Sequence, residues 1–266
     1  MTVFTALIAG TLGLIVGSFL NVVVHRLEHG GSILWDRSKC PFCTHQLAWT
    51  DLIPVISFFM LRGRCRYCSS PISLQYPLVE GAMALLAVLV AFHVELVSTL
   101  SFGAIGSFLL LFSLSAVFLA ILAYDLRHFI IPDVLLVAGG ILVVIFLALK
   151  AFLGGGISPI FSSLLAGLGA SAFFWGIWRV SHGRWMGFGD VKLALLLGLL
   201  LGFPLIVVSL FLSFFSGAVV GLSLIALKKK SLASEVPFAP FLISSALVSL
   251  FWGELLLDWY LALLLI

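Results

Sequence analysis

Apolar runs close to the length of a bilayer span recur along the chain, separated by short polar stretches. The pattern predicts spans at about 3–25, 78–95, 102–124, 134–153, 159–180, 191–203, 205–227 and 239–264. The first run, Val3–Val24, is longer than the apolar core of a signal peptide, and no small-residue cleavage site follows it. It reads as the first span. As one helix, Leu193–Leu227 would reach roughly 52 Å at 1.5 Å per residue, well beyond a ~30 Å hydrocarbon core. Phe203-Pro204 therefore marks a hairpin between a short span and a longer one. The fold expected is an all-α polytopic membrane protein with about eight transmembrane helices.

Composition agrees. The chain is 62% hydrophobic and 9% charged, with a mean hydropathy of +1.27. A soluble domain is roughly 45–50% apolar and about 25% charged. So little charge cannot cover a water-facing surface, and the lipid bilayer is the solvent implied. A formal net charge of +3, with no long basic stripe, gives no support for nucleic acid as a partner.

Charge placement orients the spans. With the N-terminus outside, loops 26–77, 125–133, 181–190 and 228–238 lie inside. Thirteen of the 14 basic residues, including the Lys228–Lys230 run, then sit at the inner face, and only Lys150 lies at the other. Merging 193–227 into one span would move that lysine run outside, so the bias also favours the hairpin. Trp252, Trp259 and Tyr260 suit interfacial anchors. The organisation expected is a first transmembrane helix over 1–25, a cytoplasmic module over 26–77 and a transmembrane domain over 78–266.

The module is too small to have much core and needs a staple. Cys40-Pro-Phe-Cys43 and Cys65-Arg-Tyr-Cys68 provide one. Two such pairs converge four thiolates into a tetrahedral zinc site, and a reducing cytoplasm argues against disulfides. A closed four-sulfur site keeps no open coordination position, so its expected role is structural.

Acidic residues at spans are costly and tend to be functional. Asp125 closes the third span and Asp190 opens the sixth, in Met186-Gly187-Phe188-Gly189-Asp190-Val191. The predicted topology puts both at the inner leaflet. Two carboxylates held close share a proton, so one can activate water while the other donates to a scissile carbonyl. Gly187 and Gly189 would let a substrate backbone approach. The bland alternative for Asp190 is an N-cap, which also accounts for Asp133 after Pro132. Capping does not account for Asp125, whose charge opposes the dipole at a helix C-terminus.

Gly187-Phe188-Gly189-Asp190 resembles the Gly-x-Gly-Asp signature of intramembrane aspartic proteases. Nearly the whole chain resembles the bacterial type IV prepilin peptidases, leader peptidases that also act as N-methyltransferases. The resemblance is carried by Gly17-Ser18-Phe19-Leu20-Asn21-Val22, the two cysteine pairs with Leu61-Arg62-Gly63-Arg64 before the second, and Tyr76-Pro77-Leu78-Val79-Glu80. It is carried further along by Asp125 with Ile131-Pro132-Asp133, and by Met186–Leu193. Leu52 stands where the family commonly has Asn.

The resemblance implies a catalytic pair at Asp125 and Asp190. It implies membrane-inserted prepilin or pseudopilin substrates, S-adenosyl-L-methionine as methyl donor, and a place in the bacterial inner membrane. No Gly-x-Gly-x-x-Gly follows a strand, so no Rossmann-type cofactor site can be read. Glu80 is a candidate to bind or orient an amine, or else an interfacial carboxylate paired with a nearby arginine. His25, His45, His128 and His182 lie at the inner face, but their spacing suggests no ligand set. Gly139-Gly140 and Gly167-x-Gly169 suit close helix packing. Two rivals remain: a peptidase without methyl transfer, disfavoured by the cysteine module, and a proton-coupled transporter. Transport would usually put carboxylates near the midplane of two similar halves, and no repeat is present.

Overall fold

The computed structural model describes residues 2–30, 32, 35–96, 101–155, 158–227 and 237–264. Among the described residues there are nine α-helices and no strand: α1 (Thr2–His29), α2 (Ile56–Met60), α3 (Gln75–His93), α4 (Phe102–His128), α5 (Asp133–Lys150), α6 (Ser158–Ser181), α7 (Phe188–Leu201), α8 (Leu205–Ala226) and α9 (Ala239–Leu264). Helices dominate because hydrocarbon offers no partner to a free backbone N–H or C=O.

Seven of these helices, all but α2 and α7, are long and apolar enough to cross a membrane. The expected sixth span is the exception. Helix α7 has 14 residues, roughly 21 Å at 1.5 Å per residue, which is less than a ~30 Å core. It ends at Leu201, where Gly202 takes φ +69° and Pro204 prevents its continuation into α8. The break expected at Phe203-Pro204 is present. The Lys228–Lys230 run and Gly156 lie outside the described residues.

The chain forms two compact units, Met1–Ala123 and Tyr124–Ile266. In the first, α1 packs along α3. Their backbones meet at two glycines one turn apart. A Cβ on Gly13 would lie 2.6 Å from Ala84 Cα, and one on Gly17 would lie 2.7 Å from Glu80 Cα. Asn21, one turn further on, donates from its side-chain amide to the carbonyls of Gly17 at 3.3 Å and Tyr76 at 3.2 Å. The amide thus ties α1 to the start of α3.

In the second unit, α6 packs along α7 and α8 along α9. A Cβ on Gly198 would fall 2.6 Å from Gly167 Cα, so α6 and α7 also touch backbone to backbone. Gly169, by contrast, faces open space. The Phe203 N–H donates to Ser162 Oγ at 3.3 Å, holding the turn after α7 against α6. Ser209, Ser213, Ser245 and Ser249 are buried on α8 and α9, where small side chains permit close approach. Phe174, Phe214 and Phe238 cluster with ring centroids 5.2–6.0 Å apart.

The glycine contacts predict an asymmetry. Gly198→Val drives two methyls into the α6 backbone and should lower the thermal unfolding midpoint in detergent by several degrees. Gly169→Ala meets nothing and should leave the midpoint within about 1 °C of wild type, since surface changes away from packing are near neutral.

Candidate functional site

Two carboxylates of the second unit are buried, Asp125 at 4% exposure and Asp190 at 7%. Asp125 lies in the last turn of α4, whose end is marked by Phe129 at φ +55° and by the Phe129 N–H donating to the Asp125 carbonyl at 2.9 Å. The side-chain Oδ2 of Asp125 is buried without a hydrogen-bond partner among the described residues. Buried polar atoms usually have partners, so an orphaned carboxylate oxygen calls for an explanation.

Asp190 is the third residue of α7, whose N-cap is Gly187. The Gly187 N–H hydrogen-bonds the Asp190 carboxylate, one arm of a capping box. Capping therefore explains that bond. It explains neither the burial of Asp190 nor the charge of Asp125 acting on it. A cap works as well at a solvated surface, whereas two interacting buried carboxylates are unfavourable unless they share a proton.

The two glycines before Asp190 differ. A Cβ on Gly189 would lie 3.2 Å from Ile131 Cβ, so its empty side is filled by the segment between α4 and α5. A Cβ on Gly187 would meet nothing nearer than Gly189 N at 3.9 Å and Asp190 Oδ2 at 4.0 Å. Open space therefore remains beside the carboxylate.

Asp133 departs from the expected cap. The N-cap of α5 is Pro132, which has no side-chain donor or acceptor, and Asp133 is the first helical residue. Its carboxylate accepts from Lys192 Nζ at 2.7 Å instead, joining α5 to α7. Lys192 also lies over the Phe188 ring at 5.6 Å. Sequence reasoning had no means of finding this pair, because its members are 59 residues apart.

In the first unit the four cysteines converge. One sulfur from each of Cys40, Cys43, Cys65 and Cys68 lies within 4.8 Å of the others, and none is in a disulfide. Each pair is a small hairpin with the same bonding. The Cys40 and Cys65 N–H groups donate to His45 and Ser70 carbonyls, and Thr44 and Ser69 N–H groups donate back to Cys40 and Cys65. Thr44 and Ser69 both take positive φ, 57° and 59°, and single bridges Lys39–Gln46 and Arg64–Pro71 close the two hairpins.

Burial would raise the Cys40 thiol, but N–H groups of Cys43 and Phe42 and contacts with Cys43 and Cys65 bring it down to about 6. Cys43 receives a bond from His45 that lowers it, yet burial and the neighbouring Cys40 and Cys68 push it up to about 11. Four crowded sulfurs cannot all ionise without a cation among them. The donor set fits zinc, which takes four thiolates at about 2.3 Å.

Asp51 links this cluster to the following turn. It accepts from Arg66 Nε at 2.7 Å, Tyr67 Oη at 3.2 Å and the Ala48 N–H at 3.1 Å.

Glu80 is buried at 6% exposure on α3. Its Oε2 accepts from the Val55 N–H at 2.7 Å, and Ser18 of α1 also hydrogen-bonds it. No ion pair with an arginine is found for it among the described residues. Val55 itself sits at φ +62°, ψ −49°, with the Ile56 N–H bonded to the Pro54 carbonyl at 2.6 Å. This is a γ-turn, unfavourable for a β-branched residue. Nearby on α1, Asn21 Oδ1 is buried without a partner among the described residues.

The fold and site define a class: a polytopic helical membrane protein with a buried, interacting carboxylate pair and a separate four-thiol cluster. Within that class the chain belongs to the type IV leader peptidase family. Residues 11–94 match the bacterial peptidase A24 N-terminal domain, and residues 112–222 match the type IV leader peptidase family. The prepilin leader peptidase/N-methyltransferase of Aeromonas hydrophila is 33% identical over 275 residues, covering 93% of this chain and 91% of that protein. Proteins of the same description from Pseudomonas aeruginosa and Legionella pneumophila are 32% and 30% identical, covering 94% and 97% of this chain and 91% and 94% of their own lengths. No solved structure matches the chain. Membership of this family and seven span-length helices make it a multi-pass inner membrane protein.

The Asp133–Lys192 pair is exposed on both sides, 70% and 42%. Asp133→Asn and Lys192→Met should each change unfolding free energy by no more than about 1 kcal/mol. Chemical denaturation of the purified variants in detergent measures this.

Proposed function

We propose that this protein removes the leader of type IV prepilins or pseudopilins with Asp125 and Asp190 as the catalytic pair, and then N-methylates the new N-terminus. The observation that carries the assignment is the pair itself: two buried carboxylates of one unit, Asp125 with an unpartnered oxygen and Asp190 feeling the charge of Asp125. Its relatives are described by both activities.

With one proton between them, the ionised carboxylate takes a proton from water as the water oxygen bonds to the scissile carbonyl carbon. The protonated partner gives its proton to the carbonyl oxygen. Collapse of this tetrahedral intermediate breaks the C–N bond, with a carboxyl proton passing to the leaving nitrogen. Gly187 leaves room for the substrate backbone beside Asp190, and Gly189 serves to seat Ile131. The substrate is membrane-inserted, and its leader meets the pair at the cytoplasmic boundary, with the N-terminus of the enzyme outside.

Cys40, Cys43, Cys65 and Cys68 hold one structural zinc ion, which supplies folding energy to a module with little core. The methyl group comes from S-adenosylmethionine. Glu80 is the residue assigned to orient the incoming amine. A buried carboxylate on α3, one turn from the Tyr76 carbonyl that Asn21 bonds, suits a cationic or amine group.

Asp125→Asn and Asp190→Asn should each abolish prepilin cleavage, and the wild-type rate should fall at both pH extremes with apparent pKa values belonging to the pair. Near-wild-type cleavage by Asp190→Asn would remove the assignment. The Cys40→Ser/Cys43→Ser variant should lose zinc and lose methylation more completely than cleavage. Metal content, cleavage and methylation measured on one preparation decide this. A reporter fused after Lys230 should read cytoplasmic and one within Gly154–Gly156 external. Both reporting the same side would overturn the topology.

A further inference from the structure

The C-terminal end of α1 carries His25, Glu28 and His29, spaced i, i+3 and i+4. Residues so spaced share one helix face. One donor atom from each lies within 4.8 Å of the other two. The imidazole rings are 4.4 Å apart between centroids, tilted by 32°. Glu28 Oε2 is 3.6 Å from His29 Nδ1. The spacing of His25, His45, His128 and His182 suggests no ligand set, because the cluster forms with Glu28 and His29.

We propose that His25, Glu28 and His29 form a second divalent-metal site, separate from the four cysteines, suited to Zn2+ or another borderline transition cation. Two imidazoles and a carboxylate are an established donor set for such ions and leave a coordination position for water. The His29 Nδ1 lies 3.1 Å from the His25 carbonyl. With Nδ1 protonated and donating there, Nε2 keeps its lone pair for a metal, the arrangement in which ligating histidines are usually held, and Glu28 turns from Nδ1 to share the ion. Tetrahedral donors at bond lengths of about 2.0–2.1 Å are roughly 3.4 Å apart. Half-exposed side chains can close from 4.8 Å to that spacing by small rotations. The location favours a cation too. This is the C-terminal turn of a 28-residue helix, where unpaired carbonyls concentrate negative potential.

With three protein ligands and solvent access, the site should exchange its ion more readily than the four-thiolate site. Functionally, it would place an exchangeable ion where the first membrane helix hands over to the cysteine module.

The test uses the full-length, untagged protein in detergent, stripped of metal and titrated with Co2+ and Zn2+. Wild type should bind two ions per chain. One should show the thiolate-to-cobalt charge-transfer band, and the other only weak ligand-field absorption. His25→Ala/His29→Ala should lose one equivalent, keep the thiolate band unchanged and keep prepilin cleavage. Glu28→Gln, which preserves shape, should weaken the second equivalent several-fold while the first stays tight. One ion per chain in wild type, or a second ion unaffected by either variant, overturns the proposal. Loss of the thiolate band in the histidine variant would also overturn it, because the sites would not be separate. None of these readouts depends on the identity of the catalytic pair.

Discussion

Helices in this protein are held together where backbone touches backbone. In hydrocarbon, one apolar helix gains little by leaving lipid for another, so association relies on close van der Waals contact and on polar groups satisfied between helices. Gly13 and Gly17 let α1 reach the backbone of α3, and Gly167 and Gly198 do the same for α6 and α7. A single methyl at Gly13, Gly17 or Gly198 would overlap a neighbouring main chain.

The buried carboxylates depend on these contacts. Gly17 lies against the Cα of Glu80 itself, so the carboxylate is packed at the seam and meets Ser18 of α1. Helix α7 is too short to cross a bilayer by itself and is held by its contact with α6. Asp190, at its first turn, is thereby kept buried with Asp125. A surface cap would need none of this support. Burial of a carboxylate pair is what raises the electrostatic stakes and makes proton sharing the low-energy state.

The cysteine module shows a different economy. Its two hairpins repeat one bonding pattern, including a left-handed residue after each second cysteine, and Asp51 ties the second hairpin to the turn before α2. Glu80 then captures the Val55 N–H and holds a strained γ-turn in place. Strain of this kind persists only where surrounding contacts over-determine it. One carboxylate on a membrane helix thus fixes the path of the chain within the module, between its two cysteine pairs.

What the sequence determined by itself was whatever depends on local composition and spacing. Apolar runs specify helices because lipid leaves the backbone no other option. The Pro204 break, the paired Cys-x-x-Cys knuckles and the two exceptional aspartates are readable for the same reason: each is a short pattern with few physical meanings. Tertiary structure decided what depends on neighbours distant in the chain. It put Lys192 on Asp133, Ile131 into the space beside Gly189, and the Val55 N–H on Glu80. It also shortened α7 below the length of a span, and it separated Gly167, which is packed, from Gly169, which is not. Sequence patterns name the groups that are costly in a membrane, and only packing determines which partner meets that cost.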